Sequence, residues 1–185
     1  MRILFAGATG VLGRATLPHL HGHAVTGLTR SPEKLNLLRN LGAEGVVCDV
    51  YESDALLRLA QCVQPEVVVN FVTDLASGSY EANSRVRREG GTNLVAAATA
   101  TGAARLVTES VAFTLEGDAA AAVDELEAAS RAFVGASLIL RFGRLWGPGT
   151  LYEASPGPPA VHIDRAGAEA ARLIAQAPAG IYVVA

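Results

Sequence analysis

A doubly wound α/β fold is what this sequence predicts: a seven-stranded, mostly parallel sheet with helices on both faces. Three observations carry that expectation. Short β-rich runs alternate with longer helical stretches. The runs are unbroken stretches of Val, Ile and Leu rather than strict alternations, and a glycine-rich turn joins the first run to the first helix. Unbroken apolar runs suit strands buried on both faces of a parallel sheet, and strand–helix repetition implies right-handed crossovers.

In chain order, "MRILFAG" holds a short apolar run that flows into glycines, so residues 2–6 are the first strand and a helix follows near 11–20. "HAVTGLT" (23–29) and a helix near 32–40 form the second unit, "EGVVC" (44–48) and a helix near 52–62 the third. "EVVVNFV" (66–72) precedes a helix near 81–101, and "ARLVTES" (104–110) precedes one near 119–133. "ASLILRF" (136–142), a helix near 165–176 and "IYVV" (181–184) close the sheet. In "GDAAAAVDELEAASRAF" (117–133) the alanines are strong helix formers and Asp118 can cap the helix. Val123, Leu126 and Phe133 fall near one face, which turns Asp124, Glu125 and Glu127 toward water. The Pro/Gly-rich segment 147–159 reads as a surface loop, so residues 1–185 form one domain.

Lys plus Arg number 15 against 18 Asp plus Glu, a net charge of -3 that offers no basic face to nucleic acid. No apolar run approaches the ~20 residues of a membrane span, and the N-terminal run is too short for a signal peptide. Cys48 and Cys62 fit core thiols in a reducing compartment better than a disulfide or metal pair. The expectation is a soluble cytoplasmic protein whose partner is a small molecule.

"FAGATGVLGRA" (5–15) carries the first chemistry. Gly7, Gly10 and Gly13 allow a tight turn, close approach of a pyrophosphate, and packing of the helix on the sheet. The N–H groups around Thr9, Gly10, Val11 and Leu12 would face phosphates at a helix N-terminus. Inside a strand–turn–helix frame this is the fingerprint of a Rossmann dinucleotide site; the alternative is a tight turn without a ligand. NAD sites usually place an acid at the end of the second strand, where this chain has Thr29, Arg30 and Ser31. Arginine's planar fork suits a 2′-phosphate, so NADP is expected, with NAD the alternative. A solvated arginine at a helix start is the other reading of Arg30. The histidines of "HLHGH" (19–23) alternate and share no helix face, so no metal site is expected.

The spacing of "GATGVLG" resembles the extended and atypical short-chain dehydrogenase/reductases, the superfamily of the NAD-dependent epimerase/dehydratases. Segments 84–110, 138–150 and 161–185 resemble its fourth helix and fifth strand, its sixth strand and GPG loop, and its closing helix and strand. By this resemblance Asp49 and Val50 would meet the adenine, and Phe71, Val72 and Thr73 the ribose and pyrophosphate; Asp49 as a turn residue is the competing reading. His162 would order the last helix. Homodimerisation through helices 81–101 and 119–133 is common in the superfamily, and alanine-rich helices permit it.

The resemblance fails at the catalytic helix. Members use a tyrosine as general acid/base, with a lysine four residues later lowering its pKa. Counting back from "LILRFG" aligns Glu127 with a family glutamate and puts Val123 at the lysine and Ala119 at the tyrosine. Ser110 matches the Ser/Thr that polarises a substrate carbonyl, and Thr108 competes for that place. Glu109 could act as a base, cap, or pair with Arg141 or Arg144. Tyr152 is the only stand-in tyrosine and could instead pack the loop. The substrate lobe shrinks to about residues 147–160. The expected activity is oxidoreductase- or epimerase-like, on a small carbonyl or sugar-like substrate; a non-catalytic NADP(H) sensor and a scaffold are the alternatives.

Overall fold

The computed structural model describes residues 1–75 and 78–185. Strand β1 (Arg2–Ala6) leads through the glycine turn into α1 (Val11–Thr16), which tightens into a 3₁₀ turn at Leu17–His19. Strand β2 (Ala24–Thr29) passes through a 3₁₀ turn (Pro32–Lys34) into α2 (Leu35–Asn40) and β3 (Glu44–Val47). Helix α3 (Ser53–Val63) returns the chain to β4 (Val67–Asn70). A long helix follows in three parts: α4 (Tyr80–Arg85), a π-helical turn (Val86–Gly90) and α5 (Gly91–Ala100). Then come β5 (Arg105–Val111), α6 (Gly117–Arg131) and β6 (Ala136–Phe142). Two short strands, β7 (Arg144–Trp146) and β8 (Ala160–His162), precede α7 (Ile163–Gln176) and β9 (Gly180–Val184).

The main sheet has seven strands in the order β3-β2-β1-β4-β5-β6-β9, every neighbouring pair parallel. The expected α/β fold is therefore the observed one. Alternate residues of each central strand feed one of two cores. Ile3, Phe5, Val69, Phe71, Val107 and Leu140 pack under α1, α2 and α7. Leu4, Ala6, Val68 and Leu106 pack under α3 and α5 with Leu56 and Leu94. Both faces are covered, which is why the strands read as unbroken apolar runs. The chain builds outward from β1 in one direction and then restarts at β4 on its other side. That reversal opens a crevice beyond the C-terminal ends of β1 and β4.

Strands β7 and β8 pair in parallel, Arg144 against Ala160, and bracket the loop 147–159; three-residue strands are too short to leave a period. Three local expectations need correction. Helix α6 is capped at Glu116, and the Asp118 carboxylate is instead bound by Arg88 Nη2 at 2.7 Å. Glu127 does not face water: it is 3 % exposed. Cys48 is buried as expected, but Cys62 is exposed, and both are free thiols.

Candidate functional site

A cleft of about 330 Å³ occupies the crevice and is lined by Gly7, Thr9, Gly10 and Val11 from the glycine turn. Such a volume falls within the ~300–1,000 Å³ of ligand sites. The ends of the next strands supply the rest: Arg30 after β2, Asp49 and Val50 after β3, and Phe71, Val72 and Thr73 after β4. Leu12 and Gly13 stay outside it. Leu12 belongs to the core beneath, and a Cβ on Gly13 would lie 2.2 Å from the Gly7 carbonyl oxygen. Sequence reasoning missed Arg14 as a firm member, and Lys34, Tyr51, Asp74 and Val86 altogether. Lys34 was legible as the second cation of "RSPEK"; Val86 was not, because it arrives from the long helix.

Two glycines of the turn do different work. Gly7 has φ +85°, and a Cβ there would lie 2.2 Å from the Phe71 carbonyl oxygen, so the β1 and β4 ends close on bare backbone. Gly10 has an ordinary φ of -70°. A Cβ on Gly10 would meet one protein atom, the Gly7 oxygen at 3.2 Å, and otherwise project into the cleft. Its missing side chain leaves space for a ligand rather than for the fold. Around that space stand three exposed cations, Arg14, Arg30 and Lys34. Arg14 also reaches the GPG loop, where Nη2 lies 3.5 Å from the place of a Gly149 Cβ.

The end of the cleft next to β3 carries its own structure. The Asp49 carboxylate accepts the Tyr51 N–H at 3.0 Å, so the turn reading of Asp49 holds while its side chain still borders the cleft. Tyr51 lines the cleft beside Asp49, with the Arg85 guanidinium 4.5 Å over its ring. Burial pushes the Cys48 thiol up, with Asp49 and Glu52 adding to the effect.

At β5 the structure separates the residues expected to share the chemistry. Ser110 is fully buried, and its hydroxyl donates to Glu127 Oε1 at 2.6 Å. Arg141 grips the same carboxylate through Nε at 2.8 Å and Nη2 at 2.6 Å, and Arg131 adds Nη1 at 3.0 Å. With Arg141 as the largest cause, Glu127 is held down at about 2. Thr108 shares a hydrogen bond with Ser130 on α6 at 2.8 Å. Both hydroxyls of β5 thus tie the strand to α6, and neither lines the cleft.

Glu109 lies between them and, by strand alternation, turns to the other face. It pairs with neither Arg141 nor Arg144; Arg144 stacks over Phe113 at 4.7 Å. Its side chain is part-buried, and this burial raises its pKa, with Arg87 pulling the other way. Arg87 sits in the π-helical turn at 5 % exposure. Tyr152 is fixed in the GPG loop, where its carbonyl accepts from Gly147 N at 2.8 Å, and it does not line the cleft. The His162 ring caps α7 by accepting the Asp164 N–H at 3.3 Å, as expected. Among the described residues no His/Cys/Asp/Glu group is arranged for a metal, and no helix is long and apolar enough to cross a membrane.

The model of the NAD dependent epimerase/dehydratase family matches residues 3–115, from the first strand to just past β5. The chain belongs to that family. A curated relative, the 3-diazoavenalumate denitrifying reductase of a Streptomyces species, is 35% identical over a 187-residue alignment that covers 85% of this chain. The chain spans 60% of that relative's length. The fold is similar to that of the Bordetella bronchiseptica enzyme WbmH, solved with NAD+, at a TM-score of 0.80 and 16% identity; 98% of this chain and 74% of WbmH are covered. It is also similar to the UDP-glucose 4-epimerase of Thermus thermophilus, solved with NAD: TM-score 0.78, 18% identity, 100% of this chain and 76% of that one. The Bordetella and Thermus proteins were solved with NAD, and the residues of the cleft could hold a dinucleotide: a glycine whose absent side chain leaves room, and cations for phosphates.

Proposed function

We propose that this chain is an NADP(H)-dependent reductase that passes a hydride to a small electron-poor acceptor, within a single domain whose substrate lobe is reduced to about residues 147–160. The observation that carries it is the cation trio Arg14, Arg30 and Lys34 around the cleft, with Arg30 where NAD sites keep an acid. When bound, the cofactor supplies the hydride. This chain's part is to hold it: Gly10 gives the pyrophosphate room, Thr9, Val11 and the turn's backbone offer N–H groups, Arg30 and Lys34 meet the 2′-phosphate, and Val50 and Asp49 border the adenine. Phe71, Val72 and Thr73 set the depth at which the ribose lies. Leu12 and Gly13 support the turn from below, and Ser110 belongs to the clasp on Glu127 rather than to the chemistry.

The reductase half of the reading draws on the Streptomyces relative, whose name gives a diazo compound as the molecule reduced. A carbonyl and an aryl diazo group are both small acceptors of a hydride; the carbonyl also requires a proton. The non-catalytic sensor is the second reading, favoured by Ala119 and the buried Val123 on α6, neither of which can move a proton. Titration with NADPH and NADH tests the cofactor. NADPH should bind about 10- to 100-fold more tightly, the worth of one or two charge-assisted contacts, and Arg30→Ala should erase most of that preference. Tighter binding of NADH sinks it. Incubation with NADPH and a panel of aryl aldehydes, ketones and an aryl diazo compound then separates a reductase, which consumes cofactor, from a sensor, which does not.

A further inference from the structure

A carbonyl that accepts a hydride must also gain a proton, and α6 offers no group that can give one. We propose that Glu109 is the acid that protonates the substrate oxygen, with Arg87 supplying the positive charge that receives the carboxylate it becomes. This rests on the reductase reading above. Glu109 and Arg87 would together replace an acid and a cation that other members carry on one helix.

Geometry places the pair at the right end of the sheet. Asn70 of β4 stands in register with Thr108 of β5, so the next position of each strand brings Phe71 level with Glu109. Phe71 borders the cleft, so Glu109 lies one strand beyond it, at the C-terminal edge and away from the adenine end. Arg87 follows directly on Val86, which also borders the cleft, in the π-helical turn that breaks the regular path of the long helix. Such turns reshape a helix locally and are frequent at functional sites. Arg87 is 5 % exposed yet makes no hydrogen bond or ion pair with a described residue, and it is the one charged side chain acting on Glu109. Glu109 likewise has no hydrogen bond within the described residues. Glu127, the buried carboxylate on the opposite side of β5, is saturated with donors, whereas Glu109 has none among the described residues.

The step balances without a further reagent. The hydride's electron pair forms the new C–H bond, the carbonyl π pair moves to oxygen, and the Glu109 O–H bond breaks to give its proton to that oxygen. The products are an alcohol and a carboxylate opposite Arg87. The open side of Glu109 lets water restore the proton before the next turnover.

The first measurement uses the cofactor-free protein and no substrate. Carboxyl ¹³C NMR over a pH series, with the Glu109 signal assigned by its loss in Glu109→Gln, should show this acid keeping its proton above the range of the other glutamates. In Arg87→Met it should keep it to still higher pH. Titration alongside the exposed glutamates, or no response to Arg87→Met, overturns the proposal. The second measurement follows aryl aldehyde reduction with NADPH. Glu109→Gln, shown folded by circular dichroism, should lose about 10²-fold or more of kcat, as expected for a general acid, and Glu109→Asp should restore part of it. Undiminished turnover in Glu109→Gln overturns the acid role, as does a wild-type protein that binds NADPH and reduces no carbonyl. Failure to bind NADPH would instead overturn the cofactor reading, whatever the titration gives.

Discussion

On the α6 side of β5, Glu127 is 3 % exposed and receives four hydrogen bonds, two from Arg141 and one each from Arg131 and Ser110. On the other side of the same strand, Glu109 receives none from the described residues, and Arg87 is the one charged group that lowers its pKa. One carboxylate is driven down to about 2 and the other is driven up. Burial alone would raise both. The difference lies in what compensates it: three donor groups built into the fold hold the charged form of Glu127, while Glu109 is left for its neutral form. The first acid is saturated as structure, and the second is left unsaturated, as the proposed role of Glu109 requires.

Breaking the saturated side should cost the most. Arg141→Met removes two of the four donors and the largest contribution to the Glu127 charge, leaving a buried carboxylate half-compensated. We expect a loss of about 3 kcal/mol, read as a drop of roughly 10 °C in Tm, since breaking a buried pair from one side strands the other charge. A loss of under about 1 kcal/mol in chemical denaturation would mean that Glu127 simply takes its proton back, and the contrast with Glu109 would shrink. Ser110→Ala takes away one 2.6 Å donor to the same carboxylate and should cost about 1.5–2 kcal/mol. NADPH affinity should stay within two-fold in that variant, because Ser110 is out of reach of the cleft. A ten-fold change in affinity would return Ser110 to the site.

How legible each side was follows from how far apart its parts lie along the chain. The sheet was legible because its strands are buried on both faces and leave unbroken apolar runs. The glycine-lined cleft was legible because Gly7, Gly10 and Gly13 sit within one turn and Arg30 directly follows the next strand. Glu127 is expected in water only when charge is allowed to outweigh position. Val123, Leu126, Glu127 and Ser130 form one buried stripe at helical spacing, so the period did place Glu127 inside. What the period could not supply were partners 14 and 17 residues away, Arg141 and Ser110, on two other strands. The opposition of Glu109 and Arg87 was beyond reach for a stronger reason. It depends on the π-helical turn that holds Arg87 buried, and no spacing in the sequence announces that turn.

The same substitution, glutamate to glutamine, should therefore act with opposite sign at the two positions. Glu127 has a folded pKa of about 2 against an ordinary 4.5, so it contributes stability that is complete above 4.5 and fades as the pH falls through about 2. The shift corresponds to something on the order of 3 kcal/mol at neutral pH. Glu127→Gln should be less stable than the parent at pH 7, and the two should converge on acidification. Glu109 has a raised folded pKa, so the folded state holds its proton more tightly than the unfolded chain does. Its contribution is complete below the ordinary 4.5 and is lost as the pH rises through the raised value. Glu109→Gln cannot ionise, so its melting curve should match the parent in acid and lie above it at higher pH, by less than the Glu127 effect. Melting temperatures of the three proteins across a pH series give both signs at once. If the two variants shift in the same direction at pH 7, Glu109 is a structural acid like Glu127, and the protein has bound its charge in some way that leaves no acid to spare. If the signs oppose, stability has been given up at Glu109 while the fold was secured at Glu127, the trade expected of a residue kept for chemistry.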